Sequence, residues 1–209
     1  MQITGYNTGA LEVNTYLVVD ETTKKGFIVD PGGYSADLKK KIDDEGIEIE
    51  YIILTHGHCD HIGGVNQFRK EIPTVKVLAH EAEKEMLENG DINMSTGFFG
   101  APETVQADVF VKDGDTLKIG TMELHFLHTP GHSPGGMCIH APENFVLFSG
   151  DTLFRQSVGR TDFPGCDFRA LLNGIKEKLF TLPEDTQVLP GHMGGTEIGY
   201  EKEHNLFVM

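Results

Sequence analysis

A mixed α/β domain with more than one sheet is the fold class this sequence predicts, on three observations. Short apolar runs alternate along the chain with segments of helical periodicity. Hydrophobic residues make up 39% and charged residues 23% of the 209 residues, a mixture that supports a packed core and excludes global disorder. Four of the apolar runs lead into a glycine-containing turn that carries a histidine or an aspartate: IILTHGH, FLHTPGH, VLFSGD and VLPGH.

Taken in order, the runs at 16–19, 27–29, 51–54, 75–79, 109–111, 122–127, 145–148 and 188–189 read as strands. Helical spacing marks 35–44, 65–71, 81–88 and 168–179. In the last of these Leu171, Leu172, Ile175 and Leu179 share one face, which directs that face onto a sheet. Residues 89–100, rich in glycine, asparagine and serine, read as a loop. No long linker, low-complexity tract or strong repeat interrupts the chain, so the expectation is one domain over 1–209.

Composition narrows the function classes. No apolar run reaches the roughly 18–20 residues that span a bilayer, and the N-terminal stretch lacks the basic start and apolar core of a secretion signal. Cys59, Cys138 and Cys166 form no paired framework and read as reduced thiols, which points to the cytoplasm. A formal charge of −15 without a Lys/Arg cluster repels polyanions, so neither nucleic acid nor membrane is an expected partner. Oligomeric state is left open.

The chemistry concentrates in Thr55-His56-Gly57-His58-Cys59-Asp60-His61. In an extended segment, residues two apart point to the same side, so His56 and His58 can approach one cation together. Asp60 and His61 fall where the chain turns toward the next helix and can face a second position. Neutral imidazoles and carboxylates suit zinc first, with iron or manganese as alternatives. The remaining ligands come from the other glycine turns: His132, Asp151 and His192. Glycine permits such turns and leaves room beside the polar side chain. A carboxylate has two oxygens, so Asp151 can bridge. The expected division is His56, His58 and His132 for one metal and Asp60, His61 and His192 for the other. His80, His125, His140 and His204 have no comparable spacing, and His128 is at most a supporting residue near His132. Cys59 reads as a packing residue.

THGHCDH resembles the H-x-H-x-D-H signature of metallo-β-lactamase-fold hydrolases, and HTPGHSPGG, SGDTLF and VLPGH resemble its later ligand segments in the same order. The resemblance runs from about Asn14 to the C-terminus. It implies an αββα sandwich with the metal site at one edge of the two sheets. GDTLF followed by VGRTDFPGCD is most similar to the glyoxalase II-like branch, whose members hydrolyse glutathione thioesters such as S-lactoylglutathione. That resemblance implies a substrate-carboxylate contact at Arg160, whose planar guanidinium suits the task; the competing role is an ion pair with Asp162 or Asp167. Only residues 193–209 follow His192, so the chain resembles single-domain members without the added helical substrate-binding region. True metallo-β-lactamases usually carry cysteine where Asp151 stands and are exported, which argues against antibiotic hydrolysis.

The expected reaction is hydrolysis of a small-molecule acyl thioester by a hydroxide held between two divalent cations, with Asp60 orienting it and Asp151 holding the pair. A thiolate leaves readily near neutral pH, so no strong general acid is required. Two alternatives remain: a mononuclear-iron persulfide dioxygenase on the same fold, and a non-catalytic metal-binding module.

Overall fold

The computed structural model describes residues 1–208 and consists of two six-stranded sheets stacked face to face with helices outside each. The first sheet holds β1 (Gln2–Thr8), β2 (Val13–Val19), β3 (Lys25–Val29), β4 (Glu48–Ile53), β5 (Lys76–His80) and β6 (Val109–Val111), in that spatial order. The second begins with β7 (Thr116–Ile119), β8 (Met122–His128), β9 (Met137–Ala141) and β10 (Val146–Gly150). A small hairpin, β11 (Leu153–Phe154) and β12 (Ser157–Val158), interrupts it before β13 (Gln187–Pro190) and β14 (Thr196–Glu197) complete the order β14-β13-β10-β9-β8-β7.

Alternation along the strands builds the layers. In β2, Val18 faces the opposite sheet while Leu17 and Val19 face outward; in β10, Phe148 points inward and Leu147 outward. Phe27, Phe126, Ile139 and Phe148 meet between the sheets. The outer face of the first sheet is covered by α1 (Ala36–Glu45), α2 (Cys59–Ile62) and α3 (Val65–Glu71) through Leu38, Ile42, Ile62 and Phe68. After α4 (Lys84–Glu88) and α5 (Ser95–Phe99), α6 (Phe168–Glu177) and α7 (Ile198–His204) cover the second sheet through Leu171, Ile175 and Ile198. This is the αββα sandwich the resemblance implied.

Local chemistry sets the boundaries. Ser35 caps α1 by accepting from the Leu38 N–H, and Gly46 ends it in left-handed backbone at φ 63°. Asp167 caps α6 by accepting from Arg169 and Ala170. That helix ends at Glu177, earlier than periodicity predicts, and a short 3₁₀ turn carries Leu179 into the same core. The expected helix at 81–88 splits into a 3₁₀ turn, Glu81–Glu83, and α4. The expected loop at 89–100 contains α5, because Asn93 and Ser95 supply local hydrogen bonds that close it. Strands β1, β7 and β9, and the two-residue strands β11, β12 and β14, lie outside the predicted runs. Among the described residues no helix is long and apolar enough to cross a membrane.

Candidate metal centre

All four glycine turns reach the same edge of the sandwich. Residues 55–58 follow β4, His132 follows β8, Asp151 follows β10 and His192 follows β13. Parallel pairing of β10 with β13 puts Gly150 beside Pro190, so the Asp151 and His192 turns emerge together. Gly191 is required there: a Cβ would lie 2.5 Å from Asp151 Oδ1 and 2.6 Å from His61 Cε1. Gly32 plays a comparable part behind α2, where a Cβ would lie 2.2 Å from the Asp60 carbonyl oxygen.

The structure brings all seven expected ligand residues together. His56, His58 and His132 offer nitrogens within 4.8 Å of one another, and Asp60, His61 and His192 form a second such group. His58 Nδ1 lies 2.9 Å from His132 Nε2. His192 Nε2 lies 3.1 Å and His61 Nε2 3.7 Å from Asp60 Oδ2. Asp151 faces both groups: Oδ1 is 3.5 Å from His61 Nε2, while Oδ2 is 3.6 Å from His132 Nε2 and 3.8 Å from His192 Nε2. Ligands at about 2.0–2.2 Å in a tetrahedron stand roughly 3.3–3.6 Å apart, so the separations from Asp151 to His61 and His132 suit a cation between the donors, and the others fall slightly short of or beyond that range.

Unpaired atoms give an independent test of that fit. His56 Nε2, His61 Nε2 and Asp151 Oδ1 are buried and have no hydrogen-bond partner. Such atoms ordinarily cost about 1–3 kcal/mol each, and three of the four found among the described residues belong to this cluster, the fourth being the Thr186 hydroxyl. Their partner nitrogens are occupied. His61 Nδ1–H donates to Asp30 at 3.0 Å, His132 Nδ1–H donates to the Arg160 carbonyl at 2.8 Å, and His56 Nδ1 lies 3.1 Å from the Thr55 hydroxyl. These contacts fix the rings with Nε2 presented inward.

The two groups differ in charge. Burial, reinforced by the neighbouring imidazoles, drives His56 well below the ordinary histidine value and lowers His58 too; burial likewise lowers His132. Burial also pulls His61 down, but Asp60, Asp151 and Asp30 outweigh it and hold His61 at about 10. The hydrogen bond that His192 donates to Asp60 raises His192. Burial opposes ionisation of Asp60, yet His61 and His192 bring its carboxyl well below the usual range.

Two supporting residues escaped the sequence reading. Asp30, 1% exposed, accepts from the Thr55 N–H at 2.7 Å and the Thr55 hydroxyl at 2.5 Å as well as from His61. Its segment, FIVDPGG, is a fifth apolar run entering a glycine turn with an acidic residue, so the signal was present. Glu83, fully buried, has no such signal. Its Oε2 accepts from Gly57 N–H at 2.7 Å, and its Oε1 accepts from the Ser133 hydroxyl at 2.8 Å and Gly135 N–H at 2.5 Å. One side chain thereby ties the His56–His58 segment to the loop carrying His132.

A pocket of about 480 Å³ opens over the cluster and includes His58, Cys59, Asp60, His132, Asp151, Arg160 and His192 in its lining. Arg160 is on this wall, but its Nε and Nη2 each donate to Asp162 at 2.7 Å and its guanidinium lies 4.0 Å from the Phe163 ring centroid. Cys59 is buried, and its thiol is pushed up to about 11, chiefly by burial. His128 stacks on His80 at 3.9 Å and donates to the Pro134 carbonyl, bracing the loop that carries His132.

Comparison with known proteins agrees with this architecture. The family model described as the metallo-beta-lactamase superfamily matches residues 8–192. The hydroxyacylglutathione hydrolase GloC of Haemophilus influenzae is 34% identical, the match covering 95% of this chain and 94% of that protein. The crystal structure of BLEG-1 B3 metallo-beta-lactamase is 38% identical with a TM-score of 0.93, covering 100% of both chains. TTHA1623, solved in a di-iron-bound form, is 32% identical with a TM-score of 0.84, covering 98% of this chain and 99% of that one.

Proposed function

The chain belongs to the metallo-β-lactamase superfamily, and from that premise we propose that it hydrolyses acyl thioesters of small thiols, glutathione thioesters among them, with two divalent cations. The observation that carries the reading is the set of unpaired buried atoms, His56 Nε2, His61 Nε2 and Asp151 Oδ1, beneath one open pocket. His56, His58 and His132 would hold one cation, and Asp60, His61 and His192 the other, with Asp151 offering an oxygen to each. Zinc fits these donors first, and iron or manganese also suit them. When bound, such a pair lowers the pKa of water toward neutrality and polarises an acyl carbonyl.

The chain's own groups do the rest. The Asp60 carboxylate, kept ionised by His61 and His192, orients the attacking water and accepts its hydrogen bond. Water adds to the acyl carbon, the C–S bond breaks, and the products are a carboxylate and a thiol. No acid is needed at the leaving sulfur. The Thr55–Asp30 network holds the His56 and His61 rings still.

Arg160 is the proposed contact for a substrate carboxylate. Its pairing with Asp162 leaves Nη1 for that task, one hydrogen bond where a free guanidinium would make two. Arg160→Ala should lower kcat/KM for S-lactoylglutathione roughly tenfold, through KM. A neutral thioester should be unaffected. Equal losses on both substrates would assign Arg160 to structure.

Cation binding should depend on pH unequally. The His61 proton must leave before its nitrogen can ligate. Because His61 and His192 are raised, affinity at their group should climb with pH toward about 10. His56, His58 and His132 are lowered and already neutral near pH 7, so their group should show little such dependence. Calorimetric titration of metal-stripped protein at about pH 6 and about pH 8 checks this. Equal pH slopes at both sites would refute the division.

A second reading, β-lactam hydrolysis, draws on the likeness to BLEG-1 B3 metallo-beta-lactamase. The deciding experiment is a turnover screen of metal-loaded protein against S-lactoylglutathione, a neutral thioester, a β-lactam and glutathione persulfide. Thioester turnover with about two metals per chain supports the proposal. β-Lactam turnover without thioester turnover would favour the second reading. Oxygen uptake with a single iron would replace both by persulfide oxidation.

A further inference from the structure

The wall of the pocket away from the metal cluster has a chemistry of its own. Leu11, Met94, Phe98, Phe154, Val158 and Met193 line it. Met193, Phe98 and Leu11 are 60%, 55% and 46% exposed, and all three surround this one opening. Apolar side chains gathered at the mouth of a site mark what the site receives.

Two of the seven non-glycine residues with positive φ among the described residues lie on the same wall. Met94 and Met193 sit at φ 73° and 68°, in the left-handed region that favours glycine. Methionine there is held against its local preference, and such positions cluster at ligand clamps. Both are the flexible, polarizable side chain that adapts to apolar ligands of varied shape.

We infer that the preferred substrates are thioesters of unbranched, apolar acyl chains, with the chain lying against Leu11, Met94, Phe98 and Met193. The placement of the acyl carbon rests on the hydrolase reading above. The acyl chain supplies binding energy by leaving water, so selectivity among acyl groups follows chain length.

The test uses the metal-loaded protein and N-acetylcysteamine thioesters from acetyl through butanoyl and hexanoyl to octanoyl. In parallel, the matching S-alkyl thioethers, which cannot be hydrolysed, are titrated by calorimetry. Both kcat/KM and thioether affinity should rise roughly two- to fourfold per added methylene until the pocket is filled. The M94G/M193G variant removes the wall at positions whose backbone glycine adopts freely. Relief of strain there offsets the added freedom of the unfolded chain, so its thermal midpoint should hold while the chain-length slope flattens. Affinity that ignores chain length in the thioethers, with thioesters still cleaved, overturns this inference and leaves the hydrolase reading intact. Length-dependent thioether binding with no thioester cleaved does the reverse. A slope unchanged in the folded double variant removes the two methionines from the acyl site and also overturns it.

Discussion

Replacing Asp151 by alanine should lower turnover on the order of a thousandfold, equivalent to about 4 kcal/mol, and reduce the metal content of both positions. Asp151 reaches toward His61 through Oδ1 and toward His132 and His192 through Oδ2, so its loss opens both donor groups at once. Its Oδ1 is also one of the unpaired buried atoms. His192→Ala makes the useful comparison. His192 belongs to one group only, and its side chain is 26% exposed, so water can take its place. That variant should lose less activity and keep the cation at His56, His58 and His132. Elemental analysis and kcat/KM at saturating metal decide the matter. An Asp151→Ala protein as active as the parent would refute the bridging role.

Asp30→Ala should damage stability and metal affinity together. The carboxylate accepts three hydrogen bonds in a dry interior, two from Thr55 and one from His61. Removing it strands those donors, at a combined cost of about 2–4 kcal/mol, which corresponds to a fall in Tm of roughly 5–15 °C. His61 also loses the group that fixes its ring, and outer contacts of this kind are worth roughly 10- to 100-fold in metal affinity. Asp30→Asn, which keeps the shape and one acceptor oxygen, should recover part of both. Thermal melts with and without added zinc read the two effects separately. If Asp30→Ala leaves the Tm of the zinc-free protein unchanged, the network is not holding the ring.

The proposed ligands were legible because their chemistry is local. His56, His58, Asp60 and His61 lie within six consecutive residues, and the three distant ligands each follow an apolar run through a glycine turn. Asp30 satisfies the same rule, but its carboxylate turns toward Thr55 and the far side of His61, a direction set by packing of the 31–33 turn against 60–64. Glu83 was illegible for a different reason. It lies in the charged stretch EAEKE, which reads as a solvated face; only the meeting of two loops from elsewhere in the chain buries it. Among the elements, β9 passed unnoticed because His140 interrupts its short apolar run, Met137–Ile139, although all five of its residues are buried. Short α5 is closed by hydrogen bonds linking Asn93 and Ser95 to the nearby Glu103 backbone, which helix propensity does not report.

Glu83 also bears on how the centre is assembled. Its carboxylate bonds both the segment at Gly57 and the loop at Ser133–Gly135, so the spacing between the His56–His58 segment and the loop that carries His132 is held by a side chain outside the expected ligand set. A substitution at Glu83 would therefore misplace donors that Glu83 does not itself bond.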